Sequence, residues 1–371
     1  MKITLAPGDG VGPEIMDVVL DVFRKAQVPL EWEVVSLGGG EEGIGNEARA
    51  SVERTGVLLK GPVAHPLGGS EVGLDQAARR VWGTFAQKSV YRTLPGVPTP
   101  LGVRPMRLTM IRELAGEDYE SRERMLTPDV ATNMRFTTRT GAQRLHRYAF
   151  ETAARKGAQR ITCAHRAHVN RLSDGLFLDT FYEVSEKYPQ IEVDDIGTDE
   201  LARRILVEPE RFDVIVLPAL EGDLLTDLAA GLVGGLEYAC TANVGDDFSL
   251  FEVMHGTSPD KVGLDRANPT ALLLSGTMML RHLGLGEYAQ RIESALERTL
   301  YQMHRRRDIQ DFVSGFRTSI FRYLMLSELA KQAAGDAGPA PWELQRELDQ
   351  QNPGGRGLAL PSMADQLEGL A

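Results

Sequence analysis

Short apolar runs alternate along this chain with longer stretches in which apolar residues recur every three or four positions. Residues Lys2–Ala6, Trp32–Ser36, Val57–Lys60, Leu108–Arg112, Arg160–His168, Ile191–Asp195, Phe212–Pro218 and Ser249–Met254 read as strands. Helical spacing covers Pro13–Lys25, Asp75–Phe85, Thr140–Lys156, Leu172–Tyr188, a segment opened by Thr198-Asp199, Glu221–Leu232, Asn268–Leu283, Tyr288–Met303 and Phe312–Leu329. Strands alternating with helices predict an α/β architecture. The polar stretch Gly116–Asp129 predicts a mobile loop, Asn243–Asp247 another loop, and proline-rich Leu94–Leu101 a crossing between domains. From about Gln332 the composition predicts a weakly ordered extension, with one helix near Pro341–Asp349.

Composition narrows the class. A chain of 371 residues can form two domains with their own cores. Its formal net charge of −11 argues against a nucleic-acid or anionic-membrane partner. The two cysteines, Cys163 and Cys240, have no metal-type spacing, and a reducing cytoplasm is expected. No apolar run reaches membrane-spanning length, and no basic-then-apolar leader precedes the first strand.

The sharpest chemical signal is Glu221-Gly-Asp-Leu-Leu-Thr-Asp227, which follows the apolar strand Phe212–Pro218. On a helix Asp223 and Asp227 share one face, where like charges repel. A divalent cation such as Mg²⁺ or Mn²⁺ reverses that repulsion. An acidic helix N-terminus, favoured by the helix dipole, is the alternative. The turn Pro7-Gly-Asp-Gly-Val-Gly12 has GxGxG spacing followed by proline, so it is not read as a dinucleotide fingerprint.

Taken together, the motifs resemble the β-decarboxylating dehydrogenases: isocitrate, 3-isopropylmalate, homoisocitrate and tartrate dehydrogenases. They are Pro7–Glu14, Leu59–Val63, Leu94-Pro-Gly96, Arg112-Glu with Tyr119, Leu172–Phe177, Gly222–Leu232, Asn243–Asp247, His255–Asp260 and Ala267–Thr270, in the family's order over about residues 1–330. The resemblance implies an isocitrate/isopropylmalate dehydrogenase-like fold of two open α/β domains, distinct from a Rossmann fold. A large cofactor domain would comprise residues 1–97 and 240–332, a small substrate and dimerisation domain 98–239, and an extension 333–371. It implies a homodimer, a di- or tricarboxylate-like substrate, NAD, and Mg²⁺ or Mn²⁺. Metal ligands map onto Asp223, Asp227 and, from the other protomer, Asp199. Substrate arginines map onto Arg79 and Arg112, with Arg139 nearby. Tyr119 maps onto the proton donor to the enol carbon. The cofactor loop maps onto His255, Gly256, Ser258, Asp260 and Asn268, where acidic Asp260 suits the ribose of NAD.

The chain also departs from the family. Arg166 replaces the lysine that accepts the hydroxyl proton, and His168 replaces the following asparagine. Arginine stays protonated and has no lone pair to offer. A family arginine becomes Ser89, a serine and asparagine become Gly73 and Asp75, and a threonine near the nicotinamide becomes His65. On an extended strand Arg166 and His168 would face the same way, so His168 is a candidate replacement base, beside water or Asp199 acting through water, and a hydrogen-bonded structural histidine is the alternative. The reading is an NAD- and metal-dependent oxidation, with decarboxylation, of a malate-type 2-hydroxy acid. A non-catalytic homologue that regulates an active partner, and a metal-dependent decarboxylase without net redox, are the alternatives.

Overall fold

The computed structural model describes residues 1–38, 43–64, 73–100, 106–114, 123–306 and 316–336, with a few positions between 338 and 346. His65, Tyr119 and most of the C-terminal extension lie outside the described residues, as does the side chain of Asp75. The first part of the chain forms β1 (Lys2–Ala6), α1 (Gly12–Lys25), β2 (Glu31–Val34), α2 (Asn46–Thr55), β3 (Val57–Lys60), α3 (Leu74–Val81) and β4 (Ala86–Arg92). The middle forms β5 (Arg107–Glu113), β6 (Glu123–Thr127), β7 (Val130–Asn133), α4 (Arg139–Lys156), β8 (Arg160–His165), α5 (Ser173–Ser185), β9 (Glu192–Gly197), α6 (Thr198–Val207), β10 (Val214–Leu217) and α7 (Ala219–Leu232). The chain then returns through β11 (Cys240–Val244), β12 (Ser249–Glu252), α8 (Thr270–His282), α9 (Gly286–Arg305) and α10 (Thr318–Ala333).

One sheet joins ten of these strands in the order β2-β1-β3-β12-β11-β4-β5-β10-β8-β9. Strands β2, β1, β3 and β12 run parallel to one another. So do β5, β10, β8 and β9. Between the halves, β11 and β4 are antiparallel to both of their neighbours. The two parallel halves therefore run in opposite directions and meet at an antiparallel seam. Helices α1, α8, α9 and α10 pack an apolar core on the first half, and α4 with α5 pack another on the second. Such two-sided cover is what parallel strands require.

The seam strands β4 and β11 are absent from the predicted set. β4 reads Ala-Gln-Lys-Ser-Val-Tyr-Arg, with no apolar run, and β11 ends in the Asn-Val that suggests a loop. Asn243 is thus a strand residue, not a loop residue. The segment predicted as a mobile loop contributes its described end to the hairpin β6–β7. The strand predicted through His168 stops at His165. There the Nδ1 of His165 accepts the Ala167 N–H at 3.0 Å, and Arg166 O accepts from Val169 and Asn170 at 2.8 and 2.9 Å. Arg166 and His168 therefore sit on a turn, and strand alternation does not align them.

The glycine turn is a brace. Asp9 N–H donates to Pro62 O at 2.7 Å and Val11 N–H to Thr257 O at 3.0 Å, tying together the loops after β3 and β12. Gly10 has φ +58°, and a side chain there would run into Thr257 O, so the close backbone approach requires glycine. Among the described residues no helix is long and apolar enough to cross a membrane.

A buried histidine links this packing to pH. His146 on α4 lies edge-on to Phe177 and Phe181, with Nδ1 3.3 Å from the Thr180 hydroxyl. Burial pushes its pKa down to about 3. The unfolded chain then binds the extra proton first, so this group removes stability as pH falls through its ordinary value near 6.5. We expect His146→Phe to melt at a temperature less sensitive to acidification between about pH 7 and about pH 4.5 than the parent, measured by circular dichroism.

Candidate functional site

One face of the seam is polar. Asn243, Gln87 and Arg112 are direct cross-strand neighbours on β11, β4 and β5. Arg112 Nε donates to Gln87 Oε1 at 2.5 Å, and Gln87 Nε2 donates to Asn243 Oδ1 at 3.1 Å. Asn243 Nδ2 donates to Glu252 Oε1 on β12, and the other Glu252 oxygen is 2.9 Å from Lys60 Nζ on β3. Arg79 Nη2 approaches Glu252 Oε1 at 3.7 Å. All five residues of the row are buried. Its direction is unambiguous. Arginine only donates and an ionised carboxylate only accepts, so both amides between them are held in one orientation.

The row ends on α7, where Arg112 Nη1 donates to Asp223 Oδ1. Helix α7 starts directly after β10 and lies on Arg112. A β-carbon added at Gly222 would be 2.6 Å from that of Arg112, so glycine permits the approach. Asp223 and Asp227 follow one turn apart, and the Asp223 side chain is 61% exposed. Asp227 is held above the ordinary carboxylate range, first by partial burial and then by the negative charge of Asp223, against the pull of Arg112.

A second group stands at the ends of β8 and β9. Asp199 is in the first turn of α6. Its Oδ1 and His168 Cε1 both lie over Gly197, 2.9 and 4.0 Å from where a β-carbon would be. Arg166 N–H donates to buried Asp174 Oδ2 at 2.7 Å. Asp174 faces Arg135 at 3.5 Å, whose guanidinium grips Glu221 at 2.8 and 3.0 Å. The Nε of Arg166 is buried with no hydrogen-bond partner among the described residues. Neighbouring His165 is committed on both sides. Its Nδ1 accepts from Ala167, so Nε2 carries the proton donated to Asp195 Oδ2 at 2.9 Å. Among the described residues no three acidic, histidine or cysteine side chains of this one chain converge on a metal position. Asp199 therefore does not complete the Asp223–Asp227 pair within the chain.

The cofactor-loop candidates follow β12. His255 Nδ1 lies 3.0 Å from Gly256 O, and burial holds its pKa below the usual value. Ser258 has φ +39°. Asp260 is exposed in the short turn Pro259–Lys261. Asn268 Oδ1 accepts from Thr270 N–H at 3.0 Å at the start of α8.

One sequence expectation changes. Arg139 does not reach this centre: its half-exposed guanidinium pairs with Glu183 on α5, and Arg135 is the arginine that reaches α7. Ser89 is fully buried and spends its hydroxyl on Thr241 at 3.0 Å. The polar row Lys60–Glu252–Asn243–Gln87 was not anticipated. Its one advance signal is Lys60, a charge closing a fully buried apolar strand, which demands a buried partner.

A family model for Isocitrate/isopropylmalate dehydrogenase matches residues 2–322. The chain is 40% identical over 304 residues to the mitochondrial isocitrate dehydrogenase [NAD] subunit 2 of Schizosaccharomyces pombe, covering 80% of each. It is 36% identical over 339 residues to the isocitrate dehydrogenase [NADP] of Thermus thermophilus, covering 89% of this chain and 68% of that one. It is 38% identical over 300 residues to a mitochondrial isocitrate dehydrogenase [NAD] regulatory subunit from Dictyostelium discoideum, covering 81% of this chain and 84% of that one. The crystal structure of isocitrate dehydrogenase from Methylococcus capsulatus superposes with a TM-score of 0.81 at 32% identity, covering 88% of this chain and 99% of that one. With matching motifs, fold and sequence, this chain belongs to the isocitrate/isopropylmalate dehydrogenase family, whose chemistry is the oxidation of a hydroxy acid.

Proposed function

We propose that this protein oxidises a malate-type 2-hydroxy acid with NAD, losing CO₂ where a carboxylate stands β to the new ketone. The observation that carries the reading is Arg112, held by the buried row from behind and placed against the exposed carboxylate of Asp223. A guanidinium so fixed suits bidentate capture of a substrate carboxylate. The repelling pair Asp223–Asp227 has the oxygen chemistry for Mg²⁺ or Mn²⁺. When bound by these residues, such an ion would supply Lewis-acid polarisation of the hydroxyl and the ketone oxygen.

Asp199 would enter from a second copy of the chain. Leu220 and Leu224 of α7, Leu206 and Val207 of α6, and Met125 and Leu126 of the hairpin are exposed large apolar side chains. A second copy would cover them in a homodimer. We assign residues 1–97 and 240–332 to one domain and 98–239 to the other, joined where β4 pairs with β5. His168, beside Asp199, is the group with a lone pair for the hydroxyl proton, because His165 has none free. Arg166 orients a carboxylate or the developing enolate. The family resemblance assigns Tyr119 the return of a proton to carbon and His65 the position of a nicotinamide-site threonine. Exposed Asp260 favours the ribose hydroxyls of NAD over the phosphate of NADP. A second reading also has support. The regulatory relative from Dictyostelium discoideum is as similar to this chain as the other relatives are, and Arg166 cannot act as the family's base.

Four substitutions test this reading. Asp223→Asn should lower NADH formation on malate derivatives by at least about 100-fold. In the same series Asp227→Asn should raise the melting temperature without metal, because one repelling charge is gone, yet abolish the rise produced by Mn²⁺. A parent enzyme that shows neither turnover nor a Mn²⁺ shift would favour the regulatory reading. Arg166→Lys should increase isocitrate oxidation by roughly tenfold or more, read as NADH absorbance. Gln87→Leu, which leaves Arg112 Nε and Asn243 Oδ1 unpaired, should lower stability by about 1–3 kcal/mol in urea unfolding and raise the substrate KM more than it lowers kcat.

A further inference from the structure

Strand β8 ends on a histidine held in one tautomer. In the parallel pair β8–β9, Cys163 stands opposite Asp195 and His165 opposite Gly197, so His165 and Asp195 are diagonal neighbours. His165 Nε2 donates to Asp195 Oδ2 at 2.9 Å, and the histidine side chain is 10% exposed. The other Asp195 oxygen accepts the hydroxyl of Tyr182 on α5. Partial burial pushes the Asp195 pKa up, but the hydrogen bonds from Tyr182 and His165 outweigh it and hold the carboxyl below the usual aspartate value. Asp195 therefore stands as an ionised acceptor with both oxygens engaged.

The second ring nitrogen folds the chain. Nδ1 accepts the N–H of Ala167, two residues on, at 3.0 Å. This is the pattern of an Asx turn, with an imidazole nitrogen in place of an amide oxygen. It stops β8 and turns the backbone, so that Arg166 O accepts from Val169 and Asn170 and His168 lies over Gly197 beside Asp199. A bare Nδ1 is required. In the other tautomer, or in the imidazolium, Nδ1–H would face Ala167 N–H, donor against donor. Which ring nitrogen carries the proton is set by what the other one meets, and the carboxylate at Nε2 keeps it there. The network is not a proton relay, because it ends on a backbone amide.

We infer that Asp195 is a positioning residue for the turn that carries Arg166 and His168: it holds the His165 ring and its proton at Nε2, which leaves Nδ1 to seat the turn. The inference rests on the roles given above to Arg166 and His168. Neither Asp195 nor His165 is left to touch a substrate, since both oxygens of one and both nitrogens of the other are taken. Helix α5 holds the same turn a second time, through Asp174 Oδ2, which accepts the Arg166 N–H at 2.7 Å. That bond fixes the first amide of the turn and leaves the second to His165. Asp195 itself lies on an edge strand with its side chain 39% exposed, so a substitution there does not open the core.

Side-chain isosteres separate the two ring nitrogens. His165→Asn puts an amide oxygen at the Nδ1 position, whereas His165→Gln puts an amide nitrogen near the Nε2 position. On malate derivatives His165→Gln should lower kcat roughly 100-fold and Asp195→Leu roughly tenfold, while His165→Asn stays within about fivefold of the parent. In the His165→Asn background Asp195→Leu should cost nothing further, because no tautomer is left to choose. Hydrogen–deuterium exchange on the full chain without substrate reads the same turn independently of turnover. His165→Gln and Asp195→Leu should speed exchange of the Ala167 amide by roughly tenfold, and His165→Asn should keep it protected. Should Asp195→Leu fold poorly, the contrast between His165→Asn and His165→Gln decides alone. Equal protection in all variants, or an Asp195→Leu penalty that persists beside His165→Asn, would overturn the inference. A parent protein that shows this exchange pattern without turnover would remove the catalytic roles of Arg166 and His168 and leave the positioning by Asp195 in place.

Discussion

Everything in this molecule is arranged about a buried row of hydrogen bonds that has one permitted direction. Two parallel half-sheets running oppositely can join only through antiparallel strands, here β11 and β4. Those strands carry Asn243 and Gln87, whose amides must be satisfied where no water reaches. Arg112 at one end can only donate and Glu252 at the other only accept. The row therefore stitches the halves together and points a guanidinium at α7 in a single act. Its ion pair with Lys60 contributes specificity of arrangement more than stability, since desolvating both charges offsets much of their attraction.

That arrangement explains which parts could be read from sequence. Strands such as β3 and β10 are buried on both faces and announce themselves as unbroken apolar runs. Asp223 and Asp227 were legible because a four-residue spacing on a helix has one geometric meaning. The seam was not legible, for the reason that makes it useful. Its strands face a polar row on one side and a basic cavity on the other, so hydrophobicity does not mark them. Period arguments failed again at Arg166, where a histidine ring accepting a backbone N–H ends the strand three residues early. Arg139, carried over from the family resemblance, pairs with Glu183, and Arg135 is the arginine that takes Glu221 on α7, a choice that sequence position does not decide. Asp199 stands apart from the other two carboxylates within this chain, in the first turn of α6, and its place beside them belongs to the proposed homodimer.

The departures from the family pattern act through charge. At position 89 the chain has a serine whose hydroxyl is turned inward to Thr241, so this position presents no cation to a substrate. Arg79 shares its charge with Glu252, and Arg112 shares its own with Asp223. The positive charge left on the catalytic face is smaller than three free arginines would give. Each substrate carboxylate brought into this partly dry site needs a compensating cation, or it stays in water. Fewer cations therefore favour a substrate with fewer carboxylates, and this supports the proposed malate-type acid over a tricarboxylate. Cations missing from the front stand instead behind the seam, where no catalytic carboxylate competes for them. The same alternation that turns Ser89 toward Thr241 turns Lys88 the other way, into the cavity behind the seam, where cations of β5, α4 and α8 join it.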